Sequence, residues 1–351
     1  MPGTTAGTAD PGTTADVVCL GESMVTFLPS RPGRLADVPS FARGIGGAES
    51  NVACALAAAG HRAAWVSRVG ADGFGDHLVE AIAGYGVDVS AVRRDPTRPT
   101  GVYFRTATDR ATDVHEVAYY RAGSAASAMS PDNVPREALS ATRVLHLSGI
   151  TAALSADCLA LLRDLTAPRP GRPTVSFDVN HRPRLWRGTA DGPGVLLDLA
   201  RGCDLVFVGE DEAEQAWGLK GAAGAIRAAL PEPAVLVVKH GAEGATVFSR
   251  TGGADAVTTV PALRVDVVAP VGAGDAFAAG FLSATLRGLG VRERVRHGHL
   301  MAAAVLTVPG DLTDPPSRAR ADALAALDDD AWGRLRLGPG WTGEDQEVPT
   351  T

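Results

Sequence analysis

The hydrophobic pattern begins with DVVCL (16–20), a short apolar run ending at Gly21, which predicts a buried first strand. MVTFL (24–28) alternates and leads into a loop dense in Pro, Arg and Gly. Gly46-Gly47 then open an Ala-rich segment, AESNVACALAAA (48–59), which reads as a helix stopped by Gly60. AAWVSRV (63–69) reads as a strand and GADGFGD (70–76) as a turn into a further helix.

Between residues 97 and 122 the pattern changes. TGVYFRTA (100–107) and VHEVAYYR (114–121) carry β-branched and aromatic residues and flank the polar ATDRATD (107–113), which predicts an inserted hairpin. Alternation then resumes, with strands expected near 143–148, 173–178, 204–208 and 234–239 and helical segments around 155–166, 194–201 and 210–230. Repeated strand–helix–strand units predict an α/β fold with a mainly parallel sheet covered by helices on both faces. The excursions at 24–44 and 97–122 are expected to form a small β-sheet lid. Residues 1–15 and 335–351 are expected as disordered tails flanking one domain over 16–334.

In such a fold ligands bind where the strands end at their carboxyl side. Several distinctive loops fall there: Gly46-Gly47, DVNHR (178–182), GEDE (209–212), Lys239-His-Gly241 and Gly272-Ala273-Gly274-Asp275. Glycines before a helix expose successive N–H groups whose donors, with the helix dipole, suit a phosphate. Asp275 could cap that helix or take a proton from a hydroxyl. Asn51 can offer a donor and an acceptor to sugar hydroxyls.

Composition narrows the choices. The chain has 351 residues, is 45% hydrophobic and 21% charged, and carries a formal charge of −7, which argues against nucleic acid or an anionic membrane as partner. No apolar run is long enough for a transmembrane helix, and the Gly/Thr/Ala-rich start has no signal-peptide h-region, so a cytoplasmic protein is expected. Cys19, Cys54, Cys158 and Cys203 are scattered among apolar neighbours and read as buried thiols. His297 and His299 read as a solvated helix face, and the run Asp328–Asp330 as solvated surface. Trp65, Trp186 and Trp217 read as packing residues.

Absences exclude other phosphate-handling scaffolds. Neither Lys220 nor Lys239 is followed by Ser or Thr, so there is no Walker A loop. DGFG (72–75) and HRP (181–183) do not complete the protein-kinase set, and no G-x-G-x-x-G follows the first strand.

Gly46-Gly47 with Asn51, and Gly272-Ala-Gly-Asp275 far downstream, together resemble the paired signatures of the ribokinase-like (PfkB) carbohydrate kinases. CLGESMVTFL (19–28), TGVYFR (100–105), YYRAGSAAS (119–127), HLSGIT (146–151) and FDVNHRPRLW (177–186) are similar to 2-keto-3-deoxygluconate kinases within that family. The resemblance spans about residues 16 to 330. It implies a ribokinase-like fold and ATP- and Mg²⁺-dependent phosphorylation of the terminal hydroxyl of 2-keto-3-deoxygluconate. Asp275 would be the base, and Gly272, Ala273 and Gly274 the anion hole. Gly47, Asn51, Tyr103, Tyr119, Arg121, Ile150 and Arg182 would line the sugar-acid pocket. VKHGAEGA (238–245) would lie along ATP through Lys239, Gly241 and Gly244, joined by Gly272 and Gly274, and Glu212 would serve the metal. A homodimer or larger homo-oligomer is expected, since relatives commonly assemble through the lid.

Arg121 and Arg182 are the candidates for the substrate carboxylate. Thr26 stands where many ribose and fructose kinases of the family carry an Asp that would repel an acid. Two departures stand out. Ala269 replaces an Asp that helps hold a monovalent cation, which puts potassium activation in doubt, and Gly209 replaces the Asn of the family's N-x-x-E motif. A fructokinase, another sugar or sugar-acid kinase, or a non-catalytic sugar-binding sensor are the alternatives.

Overall fold

The structure, a computed structural model, describes residues 15–106, 116–188, 192–221 and 223–343. Its centre is an eight-stranded sheet. Six strands run parallel in the spatial order Ala63–Val66, Ala15–Leu20, Thr142–Ser148, Thr174–Asp178, Leu205–Gly209 and Val235–Lys239. An antiparallel hairpin, Gly244–Thr251 with Ala254–Pro261, completes one edge. The parallel strands are apolar on both faces because helices cover both. One face packs the helices Ala48–Ala58, Ala273–Leu286 and Val291–Leu306 around Trp65, Phe207 and Phe281. The other packs Ala156–Thr166 and Val195–Arg201 around Phe177, Leu147 and Leu162.

A second sheet of four strands, in the order Phe41–Gly46, Met24–Pro29, Val102–Arg105 and Val117–Tyr120, lies apart from the first. Met24–Pro29 pairs parallel with Val102–Arg105, so the two excursions in the sequence meet in one sheet. Phe27 stacks on Phe104 at 4.6 Å between ring centroids, and Phe41 and Tyr120 meet Phe104 edge-on. The expected hairpin tip, ATDRATD, lies outside the described residues, as do the N-terminal residues before Ala15 and residues 344–351.

Three expectations are corrected. The helical segment expected over 210–230 is two helices, Glu210–Trp217 and Ala223–Ala229, because Gly218 turns left-handed with φ 67° and ends the first. The stretch from Leu335 to Gly343 is not a tail: Arg336–Leu337 pairs with Arg264–Val265, and Leu335, Leu337 and Trp341 are buried in the core. Its Gly and Pro content masked these three apolar anchors. His297 and His299 are buried, since their helix is enclosed on more than one side. His297 lies 3.2 Å from Asp322, and the His299 ring meets Phe277 edge-on at 5.2 Å. The four cysteines are free and buried, Trp65 and Trp186 are core residues, and Asp328–Asp330 is exposed. Among the described residues no helix is long and apolar enough to cross a membrane.

Candidate active site

The parallel strands end at one rim, and the second sheet stands over it. Between them lies a cavity of about 1100 Å³. Thr174–Asp178 and Val235–Lys239 deliver their last residues, Asp178 and Lys239, to its wall. Tyr103 and Tyr119 reach it from the second sheet.

The helix Ala273–Leu286 starts at this cavity. Gly272 precedes it with φ 80°, a conformation that strains any residue with a Cβ. A Cβ there would also lie 2.7 Å from the Asp311 carbonyl oxygen. The first intrahelical bond runs from the Ala276 N–H to the Gly272 carbonyl at 2.9 Å, so the preceding N–H groups are left for a ligand or solvent.

Asp275, in the first turn, accepts a hydrogen bond from Asn51 Nδ2 at 2.8 Å. Asn51 comes from the first turn of the helix that Gly46-Gly47 open, so the two glycine signatures converge on one carboxylate. Gly47 approaches closely enough that a Cβ would collide with the Glu22 carbonyl and with Ser23. Burial raises the Asp275 pKa to about 7; Asn51, Arg182 and Lys239 oppose the rise and Asp178 adds to it. A carboxylate poised near neutrality suits proton abstraction, and the N-cap position of this helix is held by Gly272, not by Asp275.

Opposite it, Lys239 Nζ lies 3.1 Å from both oxygens of Asp178. Burial alone would lower the lysine's pKa, but Asp178 and Glu212 together hold it above the usual value, so it stays a cation. Glu212 accepts the Gly209 N–H at 2.8 Å, capping its own helix, and burial raises its pKa. Arg182 is half-exposed, with Nη1 3.6 Å from Glu212.

The cavity thus gathers most of the residues singled out from sequence: Gly47, Asn51, Tyr103, Tyr119, Arg121, Ile150 and Arg182, with Glu212, Lys239, Gly272, Ala273, Gly274 and Asp275. Gly241 and Gly244 do not line it. Gly244 has φ 132° and a Cβ would collide with the Val260 carbonyl, which gives it a turn-forming part. Sequence reasoning passed over Glu22 and Asp311, which also line the cavity, and did not give Asp178 a task. Asp178 could have been found as the charged end of an apolar strand. Asp311 follows a Pro-Gly pair, with no periodicity to mark it. It is buried, pairs with Arg105 at 3.0 Å and accepts from the Tyr103 hydroxyl at 3.2 Å, tying the second sheet to the loop beside Gly272.

An anion-ready helix start, a near-neutral carboxylate and fixed cations at the ends of a parallel sheet are the equipment of a kinase acting on a small hydroxylated molecule. Comparison of sequences makes this definite. Residues 14–318 match the pfkB family carbohydrate kinase pattern, and the chain belongs to that family. It is 38% identical over 311 residues, 86% of this chain and 93% of the relative, to the 2-dehydro-3-deoxygluconokinase of Bacillus subtilis (strain 168). It is 31% identical to the 2-dehydro-3-deoxygalactonokinase of Haloferax volcanii, across 85% of this chain and 93% of that one. The crystal structure of a PfkB protein from Polaromonas sp. JS666 superposes with a TM-score of 0.77 at 36% identity, covering 88% of this chain and 100% of that one.

Proposed function

We propose that the protein transfers the γ-phosphoryl group of ATP to the terminal hydroxyl of 2-keto-3-deoxygluconate, giving the 6-phosphate. The observation that carries this reading is the convergence of Asp275 with Arg121 and Arg182 on one cavity, a base together with cations suited to a sugar acid. The similarity to 2-dehydro-3-deoxygluconokinase over most of the chain supports it.

Asp275 accepts the proton of the substrate hydroxyl, and the freed oxygen attacks the γ-phosphorus as the bond to ADP breaks. Asn51 fixes the carboxylate's orientation by its hydrogen bond. The N–H groups opened by Gly272, Ala273 and Gly274 receive charge that builds on the phosphoryl oxygens, and Lys239 adds a fixed positive charge nearby. The second sheet shields the cavity from water, limiting hydrolysis of ATP.

Mg²⁺ carried on nucleotide phosphates needs only one or two carboxylates from protein, and the oxygen donors Asp178 and Glu212 fit it. Among the described residues no three His, Cys, Asp or Glu side chains gather into an all-protein cage, which agrees with a metal held mainly by phosphate. Bound there, the ion would neutralise phosphate charge. Ala269 is buried and its side chain has no oxygen to offer a cation, so activity is expected to persist without potassium.

The test is an ADP-release assay across 2-keto-3-deoxygluconate, its galacto epimer, fructose and ribose, with and without potassium. A kcat/KM for either keto-deoxy acid well above that for fructose supports the proposal. A preference for fructose overturns it, and binding of the acid without turnover would leave a sensor.

A further inference from the structure

Arg121 does not stand free in the cavity. Its Nη2 is ion-paired with Glu22 Oε2, and both side chains are largely buried. Glu22 sits in the tight turn between the first strand and Met24–Pro29, at the cavity wall. Its other oxygen, Oε1, accepts the Ser124 hydroxyl. Ser124 is itself held, since Ser127 donates to its carbonyl at 2.7 Å and to its hydroxyl oxygen at 3.3 Å. Gly101 makes room for the arrangement: a Cβ there would lie 3.0 Å from Glu22 Oε1 and 3.4 Å from Arg121 Cβ.

A second carboxylate lies near, but it is engaged elsewhere. Glu49 Oε1 accepts the hydroxyls of Ser148 and Thr151, each at 2.7 Å. Burial also raises the Glu49 pKa, which weakens it as a competitor for the guanidinium. Glu22 is therefore the anion that holds Arg121, and it does so through one amino group. Arg121 Nε is buried with no hydrogen-bond partner. The Tyr119 ring, 6.0 Å from the guanidinium carbon, adds only a loose contact.

We propose that Glu22, braced by Ser124, is the positioning residue that holds Arg121 with its remaining donors ready for an anionic substrate group, and so sets the preference for a sugar acid. The inference rests on Arg121 being the carboxylate ligand. A buried ion pair contributes little to stability on average, whereas breaking one by removing a partner is costly, so stability alone is a poor reason for its presence. A long cation held in place before binding avoids the ordering cost of that rotamer-rich side chain, and so improves affinity. Glu22 also keeps the guanidinium charge compensated while the cavity is empty of acid.

Steady-state kinetics on Glu22→Ala, Glu22→Gln, Ser124→Ala and Arg121→Gln, with thermal melts as a fold check, tests this. Glu22→Ala is expected to raise KM for the sugar acid by ~10-fold with a much smaller change in kcat and in KM for ATP, the pattern of lost uniform binding. Glu22→Gln keeps an acceptor for Arg121 and a donor toward Ser124, and is expected to recover KM to within ~3-fold of wild type. Ser124→Ala, the milder change, should raise the same KM several-fold even if Glu22→Ala does not fold. The double variant Glu22→Ala/Arg121→Gln should be no worse than Arg121→Gln alone, because the two residues act as one unit. A folded Glu22→Ala or Ser124→Ala with wild-type KM, or effects that add in the double variant, overturns the inference while leaving the Arg121 reading intact. If Arg121→Gln leaves KM for the acid unchanged, the Arg121 reading fails and the inference fails with it.

Discussion

Replacing Asp275 by Asn is nearly isosteric, keeps an oxygen for the Asn51 amide and removes only the charge and the basicity. If Asp275 is the base, kcat should fall by at least ~10²-fold, the scale of positioned acid–base catalysis, while KM for both substrates changes little. The same substitution has a second, opposite consequence. The native pKa of about 7 exceeds the ordinary value of 3.8, so the folded protein binds a proton that the unfolded chain has already released. Burial of this carboxylate costs nothing well below pH 4, costs progressively more as pH rises, and reaches its full penalty above pH 7. Three pKa units correspond to about 4 kcal/mol for a fully enclosed group; water in the open cavity reduces this to about 2 kcal/mol. Asn carries no such penalty. Asp275→Asn should therefore melt higher than wild type at pH 8, by roughly 4 °C, and the difference should shrink by more than half at pH 5. Differential scanning fluorimetry at the two pH values, beside an ADP-release assay, reads both effects. In wild type, kcat/KM should fall about tenfold per pH unit below 7. A variant that turns over within tenfold of wild type, or equal melting differences at pH 5 and pH 8, would refute the reasoning.

Further substitutions probe the rest of the site and the fold. Lys239→Met leaves Asp178 buried without its cation, and should destabilise the fold by about 3–5 kcal/mol in urea titrations as well as raising KM for ATP. Gly272→Ala forces a Cβ into a left-handed residue and against the Asp311 carbonyl. It should cost about 1–3 kcal/mol and lower kcat, and wild-type kinetics would show that the loop has room to adjust. Truncation after Arg334 removes Leu335, Leu337 and Trp341 from the core. At about 1.5–3 kcal/mol for each buried side chain it should lower the urea midpoint sharply, whereas removal of residues 344–351 serves as the control.

The sheet was legible because parallel strands buried on both faces are written as apolar runs, and LVFVG (205–209) and VLVVK (235–239) contain no competing signal. The glycine turn into the helix Ala273–Leu286 was legible because Gly272 must adopt a conformation that other residues resist. What escaped was determined by partners distant in sequence. Nothing local to Glu22 distinguishes a carboxylate that will hold Arg121 from a solvated one, and Asp311 gains its meaning from Arg105 and Tyr103. The C-terminal stretch was misread for the opposite reason: its local Gly and Pro content is real, but tertiary burial of three apolar residues outweighs it. The buried His297 and His299 follow the same rule, since polarity along a helix does not reveal how many neighbours enclose it.

The hydrogen bond between Asn51 and Asp275 joins positions 224 apart in the chain. At a synthesis rate of 5–20 residues per second, a ribosome that has made Asn51 needs roughly 10–45 s more to make its partner. For the last part of that interval, once Arg182 has been made, a nascent chain can carry the residues proposed to face the sugar and still have no means of moving a phosphoryl group. Competence arrives late and all at once, when the helix that begins at Gly272 docks beside one that was translated long before.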